Sequence, residues 1–129
     1  MPVWNGAPQV KQTGGFVIQE HTTASGVHWD LMLEAEGCLE TFRLPVHPLE
    51  LTAGPVLAVK IFDHPLRFLT YEGPVNEGAG KVRIVERGTY RHAAPRPGGR
   101  ILTLEGGQLK AAFSLSCIEG DQWRLDVQK

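Results

Sequence analysis

From Val27 to Glu34 the chain alternates without a break: Val27, Trp29, Leu31 and Leu33 are apolar, and His28, Asp30, Met32 and Glu34 fill the positions between. A period of two marks a strand with one face on a core, whereas an amphipathic helix repeats its apolar positions every three to four residues. Just upstream, Phe16 to His21 is a second apolar-rich run, and the small polar segment Thr22 to Gly26 joins the two. This arrangement predicts an antiparallel hairpin. If the connection spans Thr22 to Val27, His21 lies opposite His28, and cross-strand partners share a face. Asp30, one pleat from His28, shares that face too. Two imidazoles and a carboxylate within reach of one cation suit a divalent transition metal that keeps positions open for water or substrate. The same three residues also describe a solvated polar patch, because alternation does not separate ligands from surface side chains.

The remainder of the chain repeats the pattern. Residues 1–15, with Pro2, Gly6, Pro8 and Gly14, read as an irregular leader, and residues 16–129 as one domain. After Gly37 a short strand, CLETFRLP, is followed by a proline-punctuated connection over residues 45–55. VLAVKIF, residues 56–62, reads as a buried strand, stopped by Asp63-His64-Pro65. A glycine-rich turn from Gly73 to Gly80 leads into KVRIVER, whose Lys81 and Arg83 begin a basic strip extended by Arg87 and Arg91. Arg96, Pro97 and Gly98-Gly99 read as a surface loop. Ile101 to Glu105 and Leu109 to Cys117 flank Gly106-Gly107, and Trp123, Leu125 and Val127 alternate in a last strand. Short strands with turn signals every few residues predict an all-β barrel or sandwich. Trp29 and Trp123 sit on apolar faces and, with Trp4, read as core or rim aromatics.

At 129 residues the chain holds one core, and 42% hydrophobic with 21% charged residues is the composition of a globular domain. A net charge of −1 gives no bulk attraction to nucleic acid, so any such binding falls to a local patch. The amino-terminal residues lack the apolar core of a signal peptide, no run is long enough to span a membrane, and Cys38 and Cys117 read as reduced thiols; a cytoplasmic protein is expected. Gly78-Ala79-Gly80-Lys81 lacks the upstream Gly and the following Ser/Thr of a phosphate loop, and no serine sits in a nucleophile elbow.

FVIQEH, ASGVHWDLMLE, Asp63-His64-Pro65-Leu66, YEG and ERGTY, in this order, resemble the 3′-phosphoesterase domain of bacterial DNA ligase D and its free-standing relatives. The resemblance runs from about Phe16 to the last strand. It implies a compact antiparallel β-barrel and a manganese-dependent hydrolase of DNA repair, removing a 3′-terminal ribonucleoside and then the 3′-phosphate. By position it implies His21, His28 and Asp30 as ligands of Mn²⁺, with Zn²⁺ or another divalent transition metal in its place. It also implies His64, with Asp63 of the same motif, as catalytic, and DNA 3′ ends or another phosphorylated substrate as partner, alongside a DNA ligase or other end-joining proteins.

The chain departs from that family's pattern where phosphate is gripped. Met32 stands where the family has Arg, Phe68 where it has Tyr, and Val46 and Val56 where it has basic residues; the glycine-rich loop is shorter and lacks its Tyr. Arg is the bidentate clamp for a phosphoryl group, and neither Met nor Phe replaces it. Arg43, Arg67, Lys81 and Arg83 are the candidate substitutes. Two other readings stand beside the esterase: a non-catalytic metal- or nucleic-acid-binding module serving DNA repair, and a metal enzyme of another kind, since two His and a carboxylate also hold iron in oxygenases.

Overall fold

The computed structural model describes residues 11–96 and 98–128. Trp4 and most of the expected leader lie outside the described residues, while Thr13 to Gly15 already belong to the first strand. The strands are β1 (Thr13–Thr23), β2 (Gly26–Glu34), β3 (Leu39–Leu44), β4 (Val56–His64), β5 (Gly73–Val75), β6 (Gly80–Arg96), β7 (Gly99–Gly106), β8 (Lys110–Glu119) and β9 (Gln122–Val127). Every pairing is antiparallel. The order β1-β2-β3-β4-β9-β8-β7-β6 closes on itself because β6 also pairs with β1, and β5 lies outside the ring against β6. Closure removes the free edges an open sheet would expose. Among the described residues the only helical elements are short 3₁₀ turns, at Pro48–Glu50, Leu66–Leu69 and Asn76–Gly78.

The interior is filled from the alternating faces: Phe16 and Ile18 of β1, Leu31 and Leu33 of β2, Phe42 and Leu44 of β3, Phe113 and Leu115 of β8, and Trp123 and Leu125 of β9. Val46 and Val56 pack in or against this core, so the apolar residues at those two positions are filling space.

Three expectations need correction. β4 is a strand but is not buried along its length: Val56 and Ala58 are covered, whereas Leu57 is 60% and Phe62 73% exposed. A ring strand turns only one face inward, so its continuous apolar run cannot all be core. The basic strip does not stay on one face of β6 either. Ile18 pairs with Glu86 and Gln19 with Ile84, so Val85 is an extra residue that reverses the alternation, and Arg87 ends on the face opposite Lys81 and Arg83. Finally, β1 and β2 bury both faces. Outside the ring, Val17, Met32 and Leu39 form a second small core beneath Phe68, Leu69 and Ile84. The segment bearing Phe68 and Leu69 is strapped down by Gln19, whose Nε2 donates to the carbonyls of Phe68 at 3.0 Å and Tyr71 at 2.9 Å.

Candidate metal centre

The β1–β2 hairpin is tighter than the sequence suggests. Pairing runs to Thr23 opposite Gly26, leaving only Ala24 and Ser25 at the tip. Gly26 adopts φ +136°, a conformation that L side chains rarely adopt. The register nonetheless sets His21 directly opposite His28. Both imidazoles and Asp30 project from the outer face of the ring, the face of Met32 and Val17.

Their polar atoms converge. His21 Nδ1 lies 3.0 Å from His28 Nε2. Asp30 Oδ2 is 3.5 Å from His28 Nε2 and 3.9 Å from His21 Nδ1. One ligand atom from each residue falls within a 4.8 Å span. Two ligands at right angles on a metal with bonds of about 2.1 Å are about 3.0 Å apart, and tetrahedral ones about 3.4 Å, so the donor set matches a divalent transition metal in size. The environment matches in chemistry as well. Asp30 is 2% exposed, yet its Oδ1 has no hydrogen-bond partner among the described residues. Burial holds the His28 pKa below the ordinary imidazole value; Asp30 pulls it back up, while Arg43 and His21 push it down. A neutral imidazole with a free lone pair is the form that binds metal. Behind the cluster, a Cβ placed on Gly80 would come 2.8 Å from His21 Nε2, so this glycine lets β6 close on the ring of His21.

Arg43 pairs with Asp30 across β2 and β3 and brings Nε to 3.6 Å from Oδ1, with its side chain 42% exposed. It is the candidate cation that reaches the cluster. Arg67 instead stacks 4.8 Å from the Phe68 ring centroid and 5.7 Å from that of Tyr71. Lys81 lies opposite Thr22, and Arg83 opposite Glu20, which it contacts at 3.0 Å. Both therefore occupy the face of β6 turned away from His21, and neither lines the cluster.

His64 ends β4 after a bulge: Thr41 pairs with Ile61 and Leu39 with His64, so Phe62 and Asp63 together stand against Glu40. Bulges of this kind re-aim side chains beside functional sites. The hydrogen bonds fix the His64 tautomer. Its Nδ1 is 3.1 Å from the Phe62 carbonyl and 3.0 Å from Thr41 Oγ1, and Thr41 donates its own proton to the Leu39 carbonyl at 3.1 Å. Carbonyls only accept, so Nδ1 carries the proton and Nε2 keeps a free lone pair. Burial holds the His64 pKa below its ordinary value; Asp30 and the Phe62 carbonyl oppose this, and Arg43 and His21 add to it, so the ring senses the cluster's charges. Asp63 is exposed, and its carboxylate engages the Cys38 thiol, whose pKa is raised first by burial and then by Asp63. Of Asp63 and His64, then, only His64 is tied into the site. Both cysteines are free.

Met32, where the family-like pattern has Arg, is 1% exposed and packs with Phe68, where it has Tyr. The two departures touch, and they exchange a polar pair for an apolar one. Sequence reading missed Thr41, Gln19 and Gly80. Gln19 was within reach, two residues before His21 and hence on its face; Thr41 and Gly80 needed the strand register.

Residues 19–117 match the family model described as the DNA ligase D 3′-phosphoesterase domain. The multifunctional non-homologous end joining DNA repair protein LigD of Mycobacterium tuberculosis is 36% identical over 138 residues, covering 99% of this chain and 18% of that protein. The corresponding LigD proteins of Mycolicibacterium smegmatis and Pseudomonas aeruginosa are 33% and 34% identical, over 99% and 92% of this chain and 19% and 14% of theirs. The chain thus spans less than a fifth of the length of these relatives.

Proposed function

The chain belongs to the DNA ligase D 3′-phosphoesterase domain family, and from that premise we propose that it is a metal-dependent phosphoesterase acting on DNA 3′ ends in end-joining repair. The observation that carries the reading is the convergence of His21, His28 and the buried, under-partnered Asp30. These three residues would hold Mn²⁺ or a similar divalent ion. Such an ion supplies Lewis-acid polarisation of a phosphoryl oxygen and a more acidic water.

The chain's own residues divide the remaining work. Arg43, partly exposed beside Asp30, places a guanidinium where a phosphate approaching the cluster would meet it. Neutral His64, with its proton held on Nδ1 by Thr41 and the Phe62 carbonyl, offers Nε2 to accept a proton from water. Lys60 and Arg100 are committed to the buried Glu40 and take no part.

The packed Met32–Phe68 pair favours a second reading, a module of the same fold that binds ends without cleaving them, because it fills the place of a phosphate clamp with apolar side chains. Incubating a 5′-labelled oligonucleotide bearing a 3′-phosphate with the protein and Mn²⁺ separates the two. Phosphate release that requires Mn²⁺ and disappears in His28→Ala supports the esterase. No release from protein that has bound Mn²⁺ leaves the binding module.

A further inference from the structure

His64 belongs to a row of rings. Phe62 stacks on it nearly parallel, with centroids 4.7 Å apart and 13° between planes. Phe68 meets its edge at 5.6 Å, Tyr71 meets Phe68 at 5.4 Å, and Arg67 lies against the last two. At 73% exposure, Phe62 is the most exposed large apolar side chain among the described residues. One face of its ring rests on the imidazole, so its exposure belongs to the other face. An isolated surface apolar residue needs no explanation. This one is aimed, by a bulge, into register with the candidate catalytic histidine; exposed Arg67 lies against Phe68 of the same row, and the partly exposed Arg43 stands on β3, the strand with which β4 pairs. A flat apolar face flanked by cations is complementary to a nucleobase joined to phosphates, and stacking on such a face tolerates any base.

We infer that the outer face of Phe62 is a stacking platform for the nucleobase at the 3′ end of a nucleic-acid strand. The inference rests on the reading that this side of the ring receives a 3′ end, and it adds what that reading lacks: a contact to the base where the polar phosphate grip is reduced. The contact is indifferent to base identity and sensitive to whether a base is present at all. Phe62 is then a binding residue that also steadies the imidazole of His64.

The test is equilibrium binding, by fluorescence anisotropy, of a duplex with a short single-stranded 3′-hydroxyl tail whose last nucleotide is either normal or abasic. Wild type is expected to bind the base-bearing end about tenfold more tightly, the scale of one aromatic–base stack. Phe62→Leu, which keeps an apolar side chain against His64, should shrink the preference below about twofold, and Phe62→Trp should retain it. Taking the ratio within each variant cancels whatever the substitution does to His64. Equal affinity of wild type for the two ends, a preference that survives Phe62→Leu, or no measurable binding to either end overturns the inference. So does sedimentation showing that Phe62 instead seals a contact between two copies of the chain. No turnover is needed: a protein with the base preference but no 3′-phosphate hydrolysis keeps the platform and loses the esterase, and hydrolysis without the preference does the reverse.

Discussion

Two carboxylates on neighbouring strands, Asp30 of β2 and Glu40 of β3, are both nearly inaccessible to solvent, at 2% and 1% exposure. Their surroundings differ sharply. Inside the ring, Glu40 Oε2 is held by Lys60 Nζ at 2.7 Å and Arg100 Nη2 at 2.8 Å. These cations outweigh the desolvation that would raise its pKa and leave it below the ordinary carboxylate value. Arg100 further lies 5.7 Å from the ring centroids of both Phe42 and Trp123. Outside the ring, Asp30 meets Arg43 at 3.6 Å, His28 at 3.5 Å and His21 at 3.9 Å, all too long for good hydrogen bonds. A carboxylate closed off by two fixed cations is a structural joint. A carboxylate ringed by long contacts, with one oxygen lacking a hydrogen-bond partner, is suited to a further cation.

Opposite responses to removing each charge would sharpen that contrast most. Glu40→Gln leaves Arg100 and Lys60 buried without a counter-charge and should cost about 3–5 kcal/mol in denaturant unfolding. Asp30→Asn loses no short hydrogen bond and should change metal-free stability by about 1 kcal/mol or less, while removing metal binding. Equal losses from the two substitutions would break the distinction.

Met32→Arg comes next. From alternation alone it reads as the restoration of a clamp, and the position does share the outer face with His28 and Asp30. Packing reverses the outcome. The new guanidinium would enter a small core of Val17, Leu39, Phe68 and Leu69, and without a partner there it should destabilise by about 3 kcal/mol. Rapid 3′-phosphate hydrolysis by a stable Met32→Arg protein would show that this second core opens readily.

A smaller effect is expected at Thr41, which acts on the site only through His64. Thr41→Val keeps the shape but removes one of the two acceptors for the Nδ1 proton. It should lower kcat roughly tenfold with little change in KM, and long-range ¹H–¹⁵N spectra should show the His64 proton redistributed between its two nitrogens. Thr41→Ser should restore both. An unchanged tautomer in Thr41→Val would leave the Phe62 carbonyl as sufficient support.

Why the cluster of His21, His28 and Asp30 was legible in sequence, and the joint at Glu40 was not, follows from how each is assembled. The pairing of His21 with His28 depends only on the centre of the hairpin. The Thr23–Gly26 pair closing the two-residue tip and the His21–His28 pair flanking a longer loop share that centre, so the error in turn length did no harm. Asp30 followed from a period of two. Glu40, Lys60 and Arg100, by contrast, come from β3, β4 and β7; the first two meet through the β3–β4 ladder, and only ring closure brings Arg100 to them. Bulges account for two more misses. The extra residue at Val85 separates Arg87 from Lys81 and Arg83, and the one in β4 sets the direction of Phe62 and His64; neither carries a glycine that would mark it. The burial of Met32 depended on Phe68 and Leu69 folding back over the strands, a packing event that strand alternation does not encode.

The claim that Asp30 and its two histidines form a cation site is tested most directly by calorimetric titration of Mn²⁺ into the wild-type protein and His28→Ala. About one ion per chain should bind the wild type, and the substitution should weaken binding roughly a hundredfold or more, beyond what loss of a merely supporting residue does. A His28→Ala protein that titrates like wild type, or a folded wild type that takes up no Mn²⁺, would contradict it.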